Sequence, residues 1–124
     1  MKVIIAGSRS LNPTIKLINF AHDVLLASVN FKSPATEIVC GMAKGADLSG
    51  KMWAQTYHVP VKEFPVTKED WKNAPLLAGI LRNEKMGNYA DALIAIWDGK
   101  STGTRHMVSY MQKLGKPYIL IRMP

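Results

Sequence analysis

The sequence predicts an α/β protein, a Rossmann-like three-layer sandwich with a mainly parallel sheet of about five strands. Three observations predict it. Short, uninterrupted apolar runs recur along the chain and read as strands covered on both faces. Stretches with apolar residues at helical spacing separate them, an alternation that implies a parallel sheet. Three of the strands run directly into glycine-bearing turns. A length of 124 residues fits one domain spanning residues 1–124.

The first strand, Val3 to Ala6, ends in Gly7-Ser8-Arg9-Ser10. Asn12-Pro13 then supplies an N-cap and a proline at the first helical position, and Ile15, Ile18, Val24 and Leu25 carry a helix to about Ser28. After a polar connection, Glu37 to Cys40 forms the second strand and leads into the turn Cys-Gly-Met-Ala-Lys-Gly-Ala-Asp at 40–47. The helix that follows, to about Tyr57, turns Leu48, Met52 and Ala54 towards the sheet. Val61 to Phe64 is a third strand. Residues 65–73 show no period and predict a surface loop, long enough to cover a ligand. Asn73 caps the next helix, with Pro75 in its first turn and Leu77, Ile80, Leu81 and Met86 as its apolar side. Ala92 to Trp97 is the clearest buried strand and ends in Asp98-Gly99-Lys100-Ser101-Thr102-Gly103-Thr104. Met107, Val108, Met111 and Leu114 mark the last helix, closed by Gly115, before the strand Tyr118 to Ile121.

Composition removes several function classes. Apolar runs stay near six residues, against the roughly 20 that a membrane helix needs. Met1 passes straight into a strand pattern, so no secretory signal is expected. Cys40 is the single cysteine, which rules out an internal disulfide and suits a cytoplasmic location. His22, His58 and Cys40 have no metal-ligand spacing, and no metal or other cofactor is expected. The net charge of +7 favours anionic partners, but no block of consecutive Lys or Arg marks a nucleic-acid tract.

The turns carry the chemistry. In a doubly wound sheet, ligands bind beyond the carboxyl ends of the strands, where the strand order reverses. Gly7-Ser8-Arg9, the turn at 41–45 and the turn at 99–104 would meet there. Two glycines, Gly41 and Gly45, let the backbone approach a ligand, and unpaired amides at a helix start suit a phosphate. Arg9 can grip a phosphate with two parallel hydrogen bonds. Gly103, Thr104 and their neighbours can form an anion cradle, with Ser101 either part of it or simply the helix cap. Asp47 would repel a phosphate, so it accepts from sugar hydroxyls or backbone amides, or only complements its own helix dipole. Arg82 is either a ligand clamp or an exposed residue beside an apolar stripe, and Asn83 bonds a sugar hydroxyl or the turn backbone. Trp71, in the predicted loop, can stack on a base. Standard fingerprints fail. There is no Gly-x-Gly-x-x-Gly, and Gly99-Lys100-Ser101 lacks the earlier glycine of a phosphate-binding loop, since Ile94 stands in its place.

Four segments in order resemble the SLOG superfamily of LOG-like and DprA-like Rossmannoid domains: Gly7-Ser8-Arg9, residues 40–47, Arg82-Asn83-Glu84-Lys85-Met86, and Asp98 to Thr104. They are most similar to its small, stand-alone YspA-related branch, a domain of unknown function. The resemblance covers essentially the whole chain. It implies a Rossmann-like sheet, a bacterial or phage source, a homodimer or higher homo-oligomer, and binding of a nucleotide or a nucleotide derivative. The ligand-binding set it implies is Gly7, Ser8, Arg9, Gly41, Lys44, Gly45, Asp47, Arg82, Asn83, Asp98, Ser101, Gly103 and Thr104.

It does not imply the hydrolase reaction of the LOG branch. The Arg-x-x-x-Met motif there places a catalytic arginine on Arg82, but the catalytic glutamate two residues beyond the glycine-threonine turn is His106 in this chain. Breaking an N-glycosidic bond builds positive charge on the sugar, which a carboxylate stabilises and a histidine does not. Arg82 and Glu84 are the catalytic candidates, and Asp98 is a further carboxylate to consider. The expected function is therefore binding, by sensing or sequestration, of a phosphorylated nucleoside or ADP-ribose-type molecule without turnover. The alternatives are a LOG-like N-glycosidase with an altered acid and a DprA-like DNA-binding protein.

Overall fold

In a computed structural model, residues 1–8, 10–29, 34–41, 46–74 and 77–123 are described, with the backbone alone at 46 and 47. The elements run β1 (Lys2–Gly7), α1 (Ile15–Ser28), β2 (Glu37–Cys40), α2 (Ala46–Thr56), β3 (Val61–Glu63), α3 (Lys68–Asn73), α4 (Ala78–Tyr89), β4 (Ala92–Trp97), α5 (Thr102–Leu114) and β5 (Tyr118–Arg122). The five strands form one sheet in the order β3-β2-β1-β4-β5, and every pairing is parallel. The Rossmann-like expectation holds.

The continuous apolar runs follow from double-sided burial. Successive side chains of a strand point to opposite faces. In β1, Val3 and Ile5 join Ile38, Ile94 and Ile96 in one core, under Ile18, Ala21 and Leu25 of α1 and Trp53 and Ala54 of α2. Ile4 and Ala6 point the other way, joining Val39, Leu93 and Ala95 beneath Met86 of α4 and Met107, Val108 and Met111 of α5. A strand with both faces covered has no polar side to alternate with.

The helices depart from expectation in several places. The cap of α1 is Thr14, whose hydroxyl accepts from the Leu17 amide at 3.1 Å, so Asn12 and Pro13 lie ahead of the helix. Residues 65–73 are not all loop: Thr67 accepts from the Asp70 amide at 3.0 Å and caps α3, with Glu69 and Asp70 in the first turn favouring its dipole. Leu48 and Met52 of α2 are about half exposed, while Gly50, Trp53 and Ala54 face the sheet. A Cβ at Gly50 would lie 2.7 Å from Ile5 Cβ, so the glycine sets how closely α2 seats on β1. Leu77, the N-cap of α4, and Ile80 and Leu81 within it are exposed, and the buried positions are Ala78, Asn83, Met86 and Gly87. The expected first turn at Pro75 lies outside the described residues, and α4 starts at Ala78. Its carboxyl end is held by Lys116, whose ammonium donates to the carbonyls of Gly87 at 2.9 Å and Ala90 at 2.7 Å. Among the described residues no helix is long and apolar enough to cross a membrane.

Candidate functional site

The strand order reverses between β1 and β4, because the chain runs outward through β2 and β3 and returns to the other side of β1. A crevice opens at the carboxyl ends of strands at such a point. Here a cavity of about 630 Å³ lies there, within the roughly 300–1,000 Å³ usual for small-molecule sites. Its floor is Ala6 and Gly7 of β1 and Gly41 after β2. One wall is the start of α5, from Ser101 to Thr104. The opposite wall is apolar: Pro65, Val66 and Trp71, the last 60% exposed. Arg82, Asn83 and Gly79 of α4 close a third side.

Three polar residues are buried among the described ones, Ser8, Asn83 and Thr104, and all three stand at this edge. Each is satisfied. The Ser8 hydroxyl accepts from the Asp98 amide at 2.9 Å, and the Ser8 amide donates to the Ile96 carbonyl at 3.0 Å. The Thr104 hydroxyl donates to Ser101 Oγ at 3.2 Å. A core keeps polar groups only when each one is paired, and these three are paired to the turns and helix start at this edge.

Arg82 and Asn83 form a relay across the crevice. Arg82 Nη1 donates to the Gly41 carbonyl at 2.7 Å, and Arg82 Nε donates to Asn83 Oδ1 at 3.3 Å. Asn83 Nδ2 donates to the Gly103 carbonyl at 3.2 Å. These two partners fix the amide: an arginine nitrogen only donates and a carbonyl only accepts, so oxygen faces Arg82 and nitrogen faces Gly103. His106 Nδ1, 3.4 Å from Asn83 Nδ2, therefore meets an N–H. The relay ties the turns after β2 and β4 to α4. It also explains Gly41, where a Cβ would stand 2.6 Å from Arg82 Nη1. Nη2 makes no hydrogen bond among the described residues.

Asp98 shapes the α5 turn from behind. Its Oδ1 accepts from the amides of Lys100 and Ser101, both at 2.8 Å. Those two amides, helped by the Ser8 and Ser10 hydroxyls, hold its carboxyl below the ordinary carboxylate range. Gly99, at φ 86, makes the reversal that this turn needs. Ser101 caps α5, accepting from the Thr104 amide at 3.4 Å. At Gly103 an added Cβ would meet nothing within 4 Å. Ser101 to Thr104, at the start of α5, line the cavity.

The structure brings Gly7, Gly41, Arg82, Asn83, Ser101, Gly103 and Thr104 to the cavity lining. Ser8 and Asp98 stand behind that lining and position it. Arg9, Lys44 and Gly45 lie outside the described residues, as does the side chain of Asp47. Glu84, next along α4, is half-buried and not part of the described lining. Among the described lining residues Arg82 carries the single charge, and there is no carboxylate. Pro65 and Val66 belong to the 65–73 segment expected to cover a ligand, whereas Gly79, which carries no motif, was missed and reaches the cavity only through the fold. Among the described residues no cluster of His, Cys, Asp and Glu could hold a metal.

The chain is similar to the Gene 61 protein of Mycobacterium phage D29, 35% identical over 124 residues that span 95% of this chain and 94% of that protein. Its fold is similar to that of DNA processing protein A (DprA) from Streptococcus pneumoniae, with a TM-score of 0.68 over 99% of this chain. The sequence identity there is 16%, so the likeness is one of fold, a DprA-like Rossmann-type domain. This chain spans half the length of that DprA chain. No protein-family model matches the chain.

Proposed function

This chain belongs to the family of the Gene 61 protein of Mycobacterium phage D29, and we propose that it binds a phosphorylated nucleoside or ADP-ribose-type molecule at the carboxyl edge of its sheet, without turnover. The observation that carries this reading is the cavity itself: a pinned arginine as the single described charge, set beside the start of α5. Unpaired amides at a helix N-terminus and a guanidinium with free donors both favour an anion. The apolar wall at Pro65, Val66 and Trp71 suits a base or a sugar face. Where LOG-type enzymes carry a glutamate two residues past the glycine-threonine turn, this chain has His106, which favours binding over glycoside cleavage. Placement in the YspA-related SLOG branch is supported by the four sequence motifs.

The test is mass spectrometry of small molecules that copurify with the protein, followed by calorimetry with the nucleotide found and with nucleoside monophosphates. Arg82→Ala should weaken binding at least tenfold. No nucleotide in the purified protein, together with no heat of binding, would sink the reading. Release of free base with multiple turnovers that depend on Arg82 would move the protein to the N-glycosidases.

A second reading has its own support. DprA is by name a DNA processing protein, and its fold together with a net charge of +7 favours DNA binding on the same edge. Affinity for single-stranded DNA that rises with strand length at physiological salt, and falls steeply with added salt, would favour it.

A further inference from the structure

A second cavity, of about 280 Å³, adjoins the first. The two share Pro65 and Arg82 as lining, so the arginine stands in their common wall. The smaller one lies beyond the carboxyl end of β3, between Phe64 and the α3–α4 face at Ala78 and Leu81. At about 280 Å³ it falls just short of the roughly 300 Å³ at which small-molecule sites begin, so it fits part of a ligand better than a whole one.

Its charges are arranged unevenly. Lys62, Lys85 and Arg82 supply three cations, against the carboxylates of Glu63 and Asp70. Glu63 is already engaged by Lys51 at 3.0 Å. Lys62 Nζ lies 5.8 Å from the Phe64 ring centroid, so cation and aromatic face occur together in this cavity. An apolar face beside a positive rim is the pattern of a site for a base with its phosphate.

Taking the main cavity as a nucleotide site, we infer that the two cavities form one bipartite site for a ligand of two nucleotide units joined through phosphate, with Arg82 at the joint. Arg82 spends Nε and Nη1 on Asn83 and Gly41, which fixes its plane and leaves Nη2 for the bridging phosphate. One unit occupies the main cavity against Trp71 and the start of α5. The other occupies the cavity at Phe64, with Lys62 and Lys85 at its rim. The same chemistry is supplied by a free dinucleotide or by two consecutive residues of a single strand.

The experiment is calorimetry of the whole chain with a mononucleotide, the 5′-phosphorylated dinucleotide of the same base, and the corresponding six-residue strand. The expected result is a dinucleotide that binds at least tenfold tighter than the mononucleotide, an advantage that Lys62→Glu with Lys85→Glu removes. Affinity that stops rising at two units identifies a small dinucleotide as the ligand. Affinity that rises further with length identifies a strand, with the two cavities as its entry. Equal affinity for one and two units overturns the bipartite site and leaves the mononucleotide reading standing. Failure of all three to bind overturns both.

Discussion

At the scale of single residues, the glycines of this edge do different work. Gly103 lines the cavity and has nothing within 4 Å of an added Cβ, so a side chain there fits the fold. Gly103→Asp should leave the thermal midpoint nearly unchanged, since surface substitutions usually fall within about ±0.5 kcal/mol. It should weaken nucleotide binding tenfold or more, because like charges about 4 Å apart repel by about 4 kcal/mol at a near-surface dielectric. Unaltered affinity by calorimetry would show that the anion does not lie at α5. Gly41 is occupied from the other side, with Arg82 Nη1 2.6 Å from a would-be Cβ. The clashing group is the end of a flexible side chain and can swing away cheaply. Gly41→Ala should therefore cost under about 1 kcal/mol in urea denaturation, less than the usual range for an overpacked core, yet disturb ligand binding by releasing Arg82 from its carbonyl. These two residues read alike in the sequence, as glycines in turns. Only the neighbours that the fold supplies tell them apart.

At the scale of elements, α2 shows the opposite case. Gly50 presses on Ile5 Cβ and Cγ2, both 2.7 Å from a would-be Cβ, and a β-branched side chain in a strand core cannot rotate out of the way. Gly50→Ala gains about 1 kcal/mol of helix propensity, but overpacking of a tight seat costs about 1–3 kcal/mol. The expected net effect is a loss of up to about 2 kcal/mol, measured as a lower urea midpoint with unchanged slope. The packing of α1 carries a pH signal. His22 Nε2 accepts from the Ala35 amide at 3.2 Å, and burial, the largest influence, lowers its pKa from 6.5 despite opposition from Asp23. The imidazole also meets Trp53, ring centroids 5.3 Å apart. With the folded pKa below the unfolded one, the unfolded chain takes up a proton first as pH falls. Stability from His22 is thus complete above about pH 6.5 and declines below it, through the folded pKa. Urea midpoints measured from pH 7.5 to 5 should fall, and His22→Asn, which keeps an acceptor but does not titrate, should flatten that slope.

At the scale of the molecule, β1 and β4 sit at the centre of the sheet, hydrogen-bonded on both edges and covered on both faces. Strands β3 and β5 are edges, and β3 is mostly exposed. Amide hydrogen exchange should be slowest in β1 and β4 and fastest in β3, among the strands; comparable protection across all five would contradict the layered core. This gradient matters for the site. The main cavity rests on the rigid end of β1 and on the α5 turn after β4, while its apolar wall comes from the less supported segment between β3 and α4. In the proposed nucleotide reading, the anion end is the half resting on the central strands and the base end the half resting on the sheet edge.

By itself the sequence determined the sheet, the five strands and the glycine turns at one edge, because burial on both faces writes itself as continuous apolar runs that need no partner to be read. It pointed to Arg82, Asn83, Gly103 and Thr104 through motif order. It misplaced the inner face of α2, where half-exposed Leu48 and Met52 outcompete a glycine in any pattern based on hydrophobicity. It also read α3 as loop, since a six-residue helix held by a threonine cap and two acidic residues has no apolar period. Tertiary structure alone decided that Arg82 is pinned to Gly41, that Asn83 joins it to Gly103, and that one arginine stands between two cavities. Those contacts join residues 20 and 41 positions apart, and no local rule of propensity or spacing carries information over such distances.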